Sequence, residues 1–191
     1  MISQRVEPSI SIALSTMILS IVVAVPLGVI AAWKHGTWID RFVMGLSVLG
    51  FSVPVFVIGY VLIQLFAIDL RWLPVQGFQS ISKGFGPFLQ RIILPTITLS
   101  FIYVALIARM TRAAVPVITV IGSGFALLIS GVVVTESVFN LPGIGRLTVD
   151  AVLARDYPII QAMILLTSGI YVGVNLLIDV AYTLLDPRIR Y

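Results

Sequence analysis

The side chains able to do chemistry are few, and they stand at the edges of long apolar runs. His35 is the single histidine, in a polar turn beside Lys34, and neither a carboxylate nor a second histidine lies at metal-ligand spacing from it. The chain has no cysteine, so thiolate metal sites and disulfide frameworks are excluded. Asp69, Glu136, Asp179 and Asp186 sit at the ends of apolar runs. No two aspartates fall in the middle of a run, as an intramembrane protease would need, and no mid-run charge suggests a proton relay. A glycine-rich loop ending in Gly-Lys-Ser or Gly-Lys-Thr is also missing, so this chain binds no nucleotide by that device. No cofactor is expected, and energy for uphill transport has to come from another chain or an ion gradient.

Two sites stand out from this sparse set. Glu136 ends a long apolar run next to Thr135 and Ser137, which reads either as a carboxylate reaching water at the membrane boundary or as a residue of a solute pathway; the first is the simpler reading. Arg109 and Arg112 stand three residues apart in "ALIARMTRAAVPVITVI", with almost nothing else between two apolar runs.

The elements that must position these residues follow from composition. Of 191 residues, 59% are hydrophobic and 10% charged, and the mean hydropathy is +1.12; ordinary soluble domains carry about 25% charged residues. Uncharged stretches long enough to cross about 30 Å of hydrocarbon cover 9–33, 42–68, 92–108, 113–135 and 157–178. They are apolar all round, whereas barrel strands alternate. The expected fold is an all-α polytopic membrane bundle, one transmembrane domain over 1–191 with five spans. A net charge of +4 spread over the membrane flanks fits a bilayer protein and not a nucleic-acid binder.

Five spans put the termini on opposite sides. Lys34, Arg41, Arg109, Arg112, Arg188 and Arg190 crowd into short connections, while Arg5, Arg71, Lys83, Arg91, Arg146 and Arg155 are spread over long ones. By the positive-inside rule the first set, with the C-terminus, is cytoplasmic. Trp33, Trp38 and Trp72 flank the spans at interfacial heights.

Thr16, Ser20, Ala24, Gly28 and Ala32 recur every four residues, on a face that lets another helix backbone come close. Gly122, Ala126 and Ser130, and the pair Gly169 and Gly173, repeat the device. Pro26, Pro54, Pro95 and Pro116 lie inside or near the ends of spans and tend to kink them. After the turn signal Pro142-Gly143, Ile144, Leu147, Ala151 and Ala154 recur at helical spacing opposite Arg146 and Asp150, an i,i+4 pair. A short amphipathic helix on the outer membrane surface is expected there.

The segment "TESVFNLPGIGRLTVDAVLARDYPIIQA" resembles the stretch before the last helix in permease subunits of bacterial ABC importers of the dipeptide, oligopeptide and nickel class. "VPLGVIAAWKHGTWIDR", "GFSVPVFVIGYVLIQLFAIDLRWLPVQG", "ILPTITLSFIYVALIARMTRA" and "LLDPRIRY" are similar to other pieces of that family, in order. The resemblance implies a multi-pass protein of the bacterial inner membrane, not an enzyme. It implies as partners a second permease subunit, ATP-binding subunits that use the ATP, an extracellular substrate-binding protein, and a peptide or related small solute, besides membrane lipid. It also makes Asn140, Pro142, Gly143, Gly145, Arg146, Asp150 and Asp156 an external, partner-facing segment.

Two departures from the family bear on function. Its members have another helix and an external domain ahead of the first span seen here. They also carry, after the segment matching "ARMTRA", a cytoplasmic loop with a Glu-Ala-Ala signature whose short helix docks on the ATPase. Here "RMTRA" runs straight into "AVPVITVIG", and Glu-Ala-Ala occurs nowhere. Arg109 and Arg112 are then remnants of the loop's flanks and positive-inside anchors. An uncoupled permease is expected; the alternative is a nonfunctional or structural membrane fragment of one. A gradient-driven transporter working alone is disfavoured by the lack of buried ionisable groups and of internal repeats.

Overall fold

The computed structural model describes residues 2–113 and 117–185, with side-chain surroundings for 4–113, 124 and 128–180. Seven α-helices account for most of the described chain, and no strand occurs among the described residues. They are α1 (Ile2–Trp33), α2 (Trp38–Ser52), α3 (Val55–Leu62), α4 (Phe85–Arg112), α5 (Val117–Val138), α6 (Ile144–Ala154) and α7 (Tyr157–Leu185). A π-helical turn, Ile63–Asp69, continues α3, and a short 3-10 turn, Ile81–Lys83, precedes α4.

Three helical stretches are long and apolar enough to cross a bilayer alone: Gln4–Trp33, Phe85–Arg112 and Tyr157–Val180. A fourth crossing is broken. Val53 is extended and Pro54 follows at φ −59°, because a proline ring pushes the preceding residue out of helical backbone. Trp38–Ser52 and Val55–Asp69 meet at 99°, so the second expected span is an angled pair instead of one continuous helix. α5, where the span expected over 113–135 falls, has 22 residues, about 33 Å at the helical rise, but only its part Leu128–Val138 stands out as apolar among the described residues. Pro26 and Pro95 are held inside α1 and α4, whereas Pro116, Asp186, Arg188 and Arg190 lie outside the described residues.

The core is built around α4, 61% of whose membrane-length window is buried against 6% for α7. α4 touches α1, α2, α3 and α5. Its buried residues, including Ile92, Leu94, Leu99, Tyr103 and Ile107, therefore fall on several sides of the helix. α1 and α4 run parallel: the hydroxyls of Ser15 and Thr96 are 2.7 Å apart, Ser100 donates to the Thr16 carbonyl at 3.5 Å, and Gly28 faces Ala108 and Thr111.

The small-residue ladder lies along this contact. Thr16, Ser20, Ala24 and Gly28 are buried. Ala32, the fifth expected rung, is exposed, and Ala31 takes the buried place. A strict four-residue spacing turns about 40° per step on a helix of 3.6 residues per turn, so a long ladder rotates out of the interface and the contact steps back by one residue. In α5 the inward face carries Gly124, Leu128 and Val132. Ser130 points away from that face and is exposed, while Gly122 and Ala126 belong to α5 at positions whose side chains lie outside the described set. Gly169 and Gly173 have nothing from this chain within 4 Å of where a Cβ would sit.

A Cβ on Gly28 would come 2.6 Å from Thr111 Cβ and 2.7 Å from the Ala108 carbonyl oxygen. Val29, the next residue, is 54% exposed. Gly28→Leu is expected to destabilise the bundle by about 1–3 kcal/mol, read as a lower melting temperature in detergent, with Val29→Leu close to the parent; equal temperatures for the two variants would refute a close α1–α4 contact at this rung.

Candidate functional site

The turn between α5 and α6 gathers most of the interior chemistry. α5 ends with Asn140 in the left-handed region (φ 52°) and the Leu141 N–H donating to the Glu136 carbonyl at 2.9 Å. That closing pattern suits Asn, whose side chain tolerates positive φ. Two residues on, α6 begins with Gly143 at the N-cap, which has no side chain to satisfy the first free N–H groups of the helix.

Groups from elsewhere do so. The Ser9 hydroxyl of α1 accepts from the Ile144 N–H at 2.8 Å and donates to the Glu136 carboxylate. The other carboxylate oxygen accepts from the Arg146 N–H at 3.0 Å, and the Gly145 N–H also bonds to the carboxylate. Glu136 is 0% exposed. A carboxylate reaching water at a membrane boundary, the simpler sequence reading, is therefore overturned. A buried carboxylate is tolerable where backbone donors and the positive end of a helix dipole meet it, and both are present.

This arrangement explains both glycines of "PGIG". A Cβ on Gly143 would overlap the Glu136 carboxyl group, and one on Gly145 would lie 2.7 Å from Val133 Cα. Both are buried, so they face the interior and not an external partner. Pro142, Asn140 and Asp150 are exposed. Asn140 donates to the Gln76 side chain at 3.1 Å, and Arg146 pairs with Asp150 at 3.8 Å across one helical turn. Asp156 accepts from the Ile159 N–H at 3.3 Å, capping the start of α7. On α6, Ile144 and Ala151 are buried as the periodicity expects, but Ala154 is exposed, as are Val149, Val152 and Leu153.

A second polar cluster joins the opposite end of the bundle. Arg112, at the last turn of α4, pairs with Asp40 of α2: Nε lies 2.6 Å from one carboxylate oxygen and Nη2 donates to the other at 2.8 Å. The Gly36 N–H donates to the same carboxylate at 2.9 Å. Asp40 is buried and did not stand out in the sequence; Arg112 stood out, but as an anchor and not as a partner. Arg109 is exposed. No cluster of three or more histidine, cysteine or carboxylate residues able to hold a metal occurs among the described residues.

Comparison with known proteins places this architecture. The profile of the binding-protein-dependent transport system inner membrane component family matches residues 24–115 and 112–191. The chain belongs to that family. The permease named "Probable peptide ABC transporter permease protein y4tP" of Sinorhizobium fredii is 52% identical over 224 aligned positions, which take in 100% of this chain and 72% of the relative. The glutathione transport system permease protein GsiC of Escherichia coli is 36% identical over 223 positions, 100% of this chain and 70% of the relative. The family's two matched stretches meet at the connection between α4 and α5. For this permease, then, Glu136 and the start of α6 lie within the second stretch, and Arg112, the partner of Asp40, lies at the join.

Removing the Glu136 carboxylate leaves the Gly145 and Arg146 N–H groups of α6 without their acceptor in a site closed to water. Glu136→Ala is expected to cost about 1–3 kcal/mol and to loosen the start of α6. Hydrogen exchange by mass spectrometry should show faster exchange over 144–147 with α4 unchanged; unaltered protection of α6 would mean that Glu136 does not hold it.

Proposed function

We propose that this chain is the membrane subunit of an ABC importer for peptides or a closely related small solute, in a form that its ATPase does not drive. The observation that carries the reading is the interrupted match. Alignment with the two relatives takes 224 and 223 positions for 191 residues, so about 33 positions of the relatives have no counterpart here, and the family's matched stretches meet at 112–115. α4 ends at Arg112 and α5 begins at Val117. So short a connection suits antiparallel neighbours but cannot project a docking helix.

The solute class follows from the relatives, one named for peptide and one for glutathione transport. The partners in this reading are a second permease subunit, ATP-binding subunits and an extracellular binding protein. The chain itself catalyses no reaction and binds no cofactor. The end carrying Lys34, Arg41, Arg109 and Arg112 faces the cytoplasm with the C-terminus, on charge density. α6 and the loop at 70–84 then lie on the outer side. Reporter fusions after Gly36 and at the C-terminus should score as cytoplasmic and one after Gly77 as external; external exposure after Gly36 would reverse the orientation.

A partner shifts a conformational equilibrium only if it contacts the two states differently, and the connection that would carry those contacts is absent. Reconstituted in liposomes with the subunits of a relative, this chain should support neither solute uptake nor substrate-stimulated ATP hydrolysis. Inserting the relative's loop after Ala113 should raise co-purification of the ATPase. Tight association and stimulated hydrolysis by the unaltered chain would refute the uncoupled reading.

A further inference from the structure

An open groove of about 450 Å³ runs between α1, α2 and α4, lined among others by Val23 and Leu27, Leu46 and Leu49, and Phe101 and Val104. Its two hydroxyls are already used: Ser47 donates to the Val43 carbonyl at 3.0 Å and Ser100 to that of Thr16 at 3.5 Å. An occupant of this groove therefore needs no polar group within it, which argues against a peptide. Leu46 and Leu49 also line a second hollow, shared with Trp38, Arg41, Phe42 and Gly45. The two hollows thus adjoin along α2, and the trough they form passes from apolar side chains to a cationic, aromatic mouth.

The mouth has an uncompensated charge. Asp40, the neighbour of Arg41, is engaged by Arg112 and the Gly36 N–H. Arg41 itself is exposed and makes no ion pair among the described residues; Lys34 is exposed in the turn between α1 and α2. Trp38 is stacked on Phe42, ring centres 5.5 Å apart, and is 76% exposed. Indole rings settle at headgroup depth, and basic groups beside helices hold anionic headgroups.

We propose that this trough is a binding site for an anionic phospholipid, with an acyl chain along the α1–α2–α4 groove and the phosphate at Arg41. Its chemistry asks for a ligand that is apolar along most of its length and negative at one end, located inside a bilayer. The site is independent of the solute and of the coupling state.

Gly45 offers a clean block, because a Cβ there meets nothing within 4 Å and a larger side chain would fill the trough without disturbing the bundle. The probes are phosphatidylglycerol and phosphatidylethanolamine of identical acyl chains, mixed equally in micelles with the purified chain and read by native mass spectrometry. The parent should retain phosphatidylglycerol several-fold over phosphatidylethanolamine. Arg41→Gln should abolish that preference, and Gly45→Phe should reduce retention of both lipids, with melting temperatures for both variants near the parent's. Equal retention of the two lipids by the parent would overturn the proposal. So would undiminished phosphatidylglycerol retention in both variants, or a lipid-free dimer that Gly45→Phe dissociates, which would assign the trough to a second copy of this chain.

Discussion

The first backbone N–H groups of α6 have to find acceptors where water does not reach, and that end of the bundle is organised around the requirement. Glu136 arrives from the last turn of α5 and Ser9 from the first turns of α1, so satisfying one short helix fixes the relative height of three. The carboxylate occupies the space a side chain on Gly143 would take, and the backbone of Val133 occupies that at Gly145. Each element is therefore specified by the others. The helix start needs the acid, the acid needs the glycines, and the hydroxyl of Ser9 closes the set.

The other constraint is the distance of approach between α1 and α4. Two parallel helices with Thr, Ser, Ala and Gly in the seam can bring their backbones close, and in a lipid environment such packing replaces the hydrophobic drive available in water. The side chains of Ser15 and Thr96 meet across this seam. The exposed apolar side chains of α7, among them Leu165, Val172, Leu176 and Leu177, belong to the surface that lipid or another subunit covers.

The helical class was legible because it depends on local composition, which a window of sequence contains. Asp69 could be read as the end of an element for the same reason, and Pro142-Gly143 as a turn. What could not be read was anything that depends on an encounter between distant residues. Asp40 and Arg112 are seventy-two positions apart, and nothing near either residue announces the pair. Glu136 looked like a boundary charge because an acid at the end of an apolar run usually reaches water; only the arrival of α1 and α6 encloses it. The glycines of "PGIG" drew attention rightly, but whether a glycine serves an external partner or an internal close approach is decided by what lies 3 Å away. The break at Pro54 was partly visible, since proline signals a kink but not its size.

The polar stitching is unevenly distributed along the bundle. At one end Glu7 accepts from Ser80 and the Ile81 N–H, Arg91 donates to the Gln76 carbonyl, Gly77 to the Phe139 carbonyl, and Ser9 and Glu136 hold α6. At the other, the described cross-links between α2 and α4 reduce to Asp40 with Arg112. Rods clamped together at one end and tied by a single knot at the other have a stiffness gradient along their length. A force applied at the tied side gains leverage about the clamp as a fulcrum.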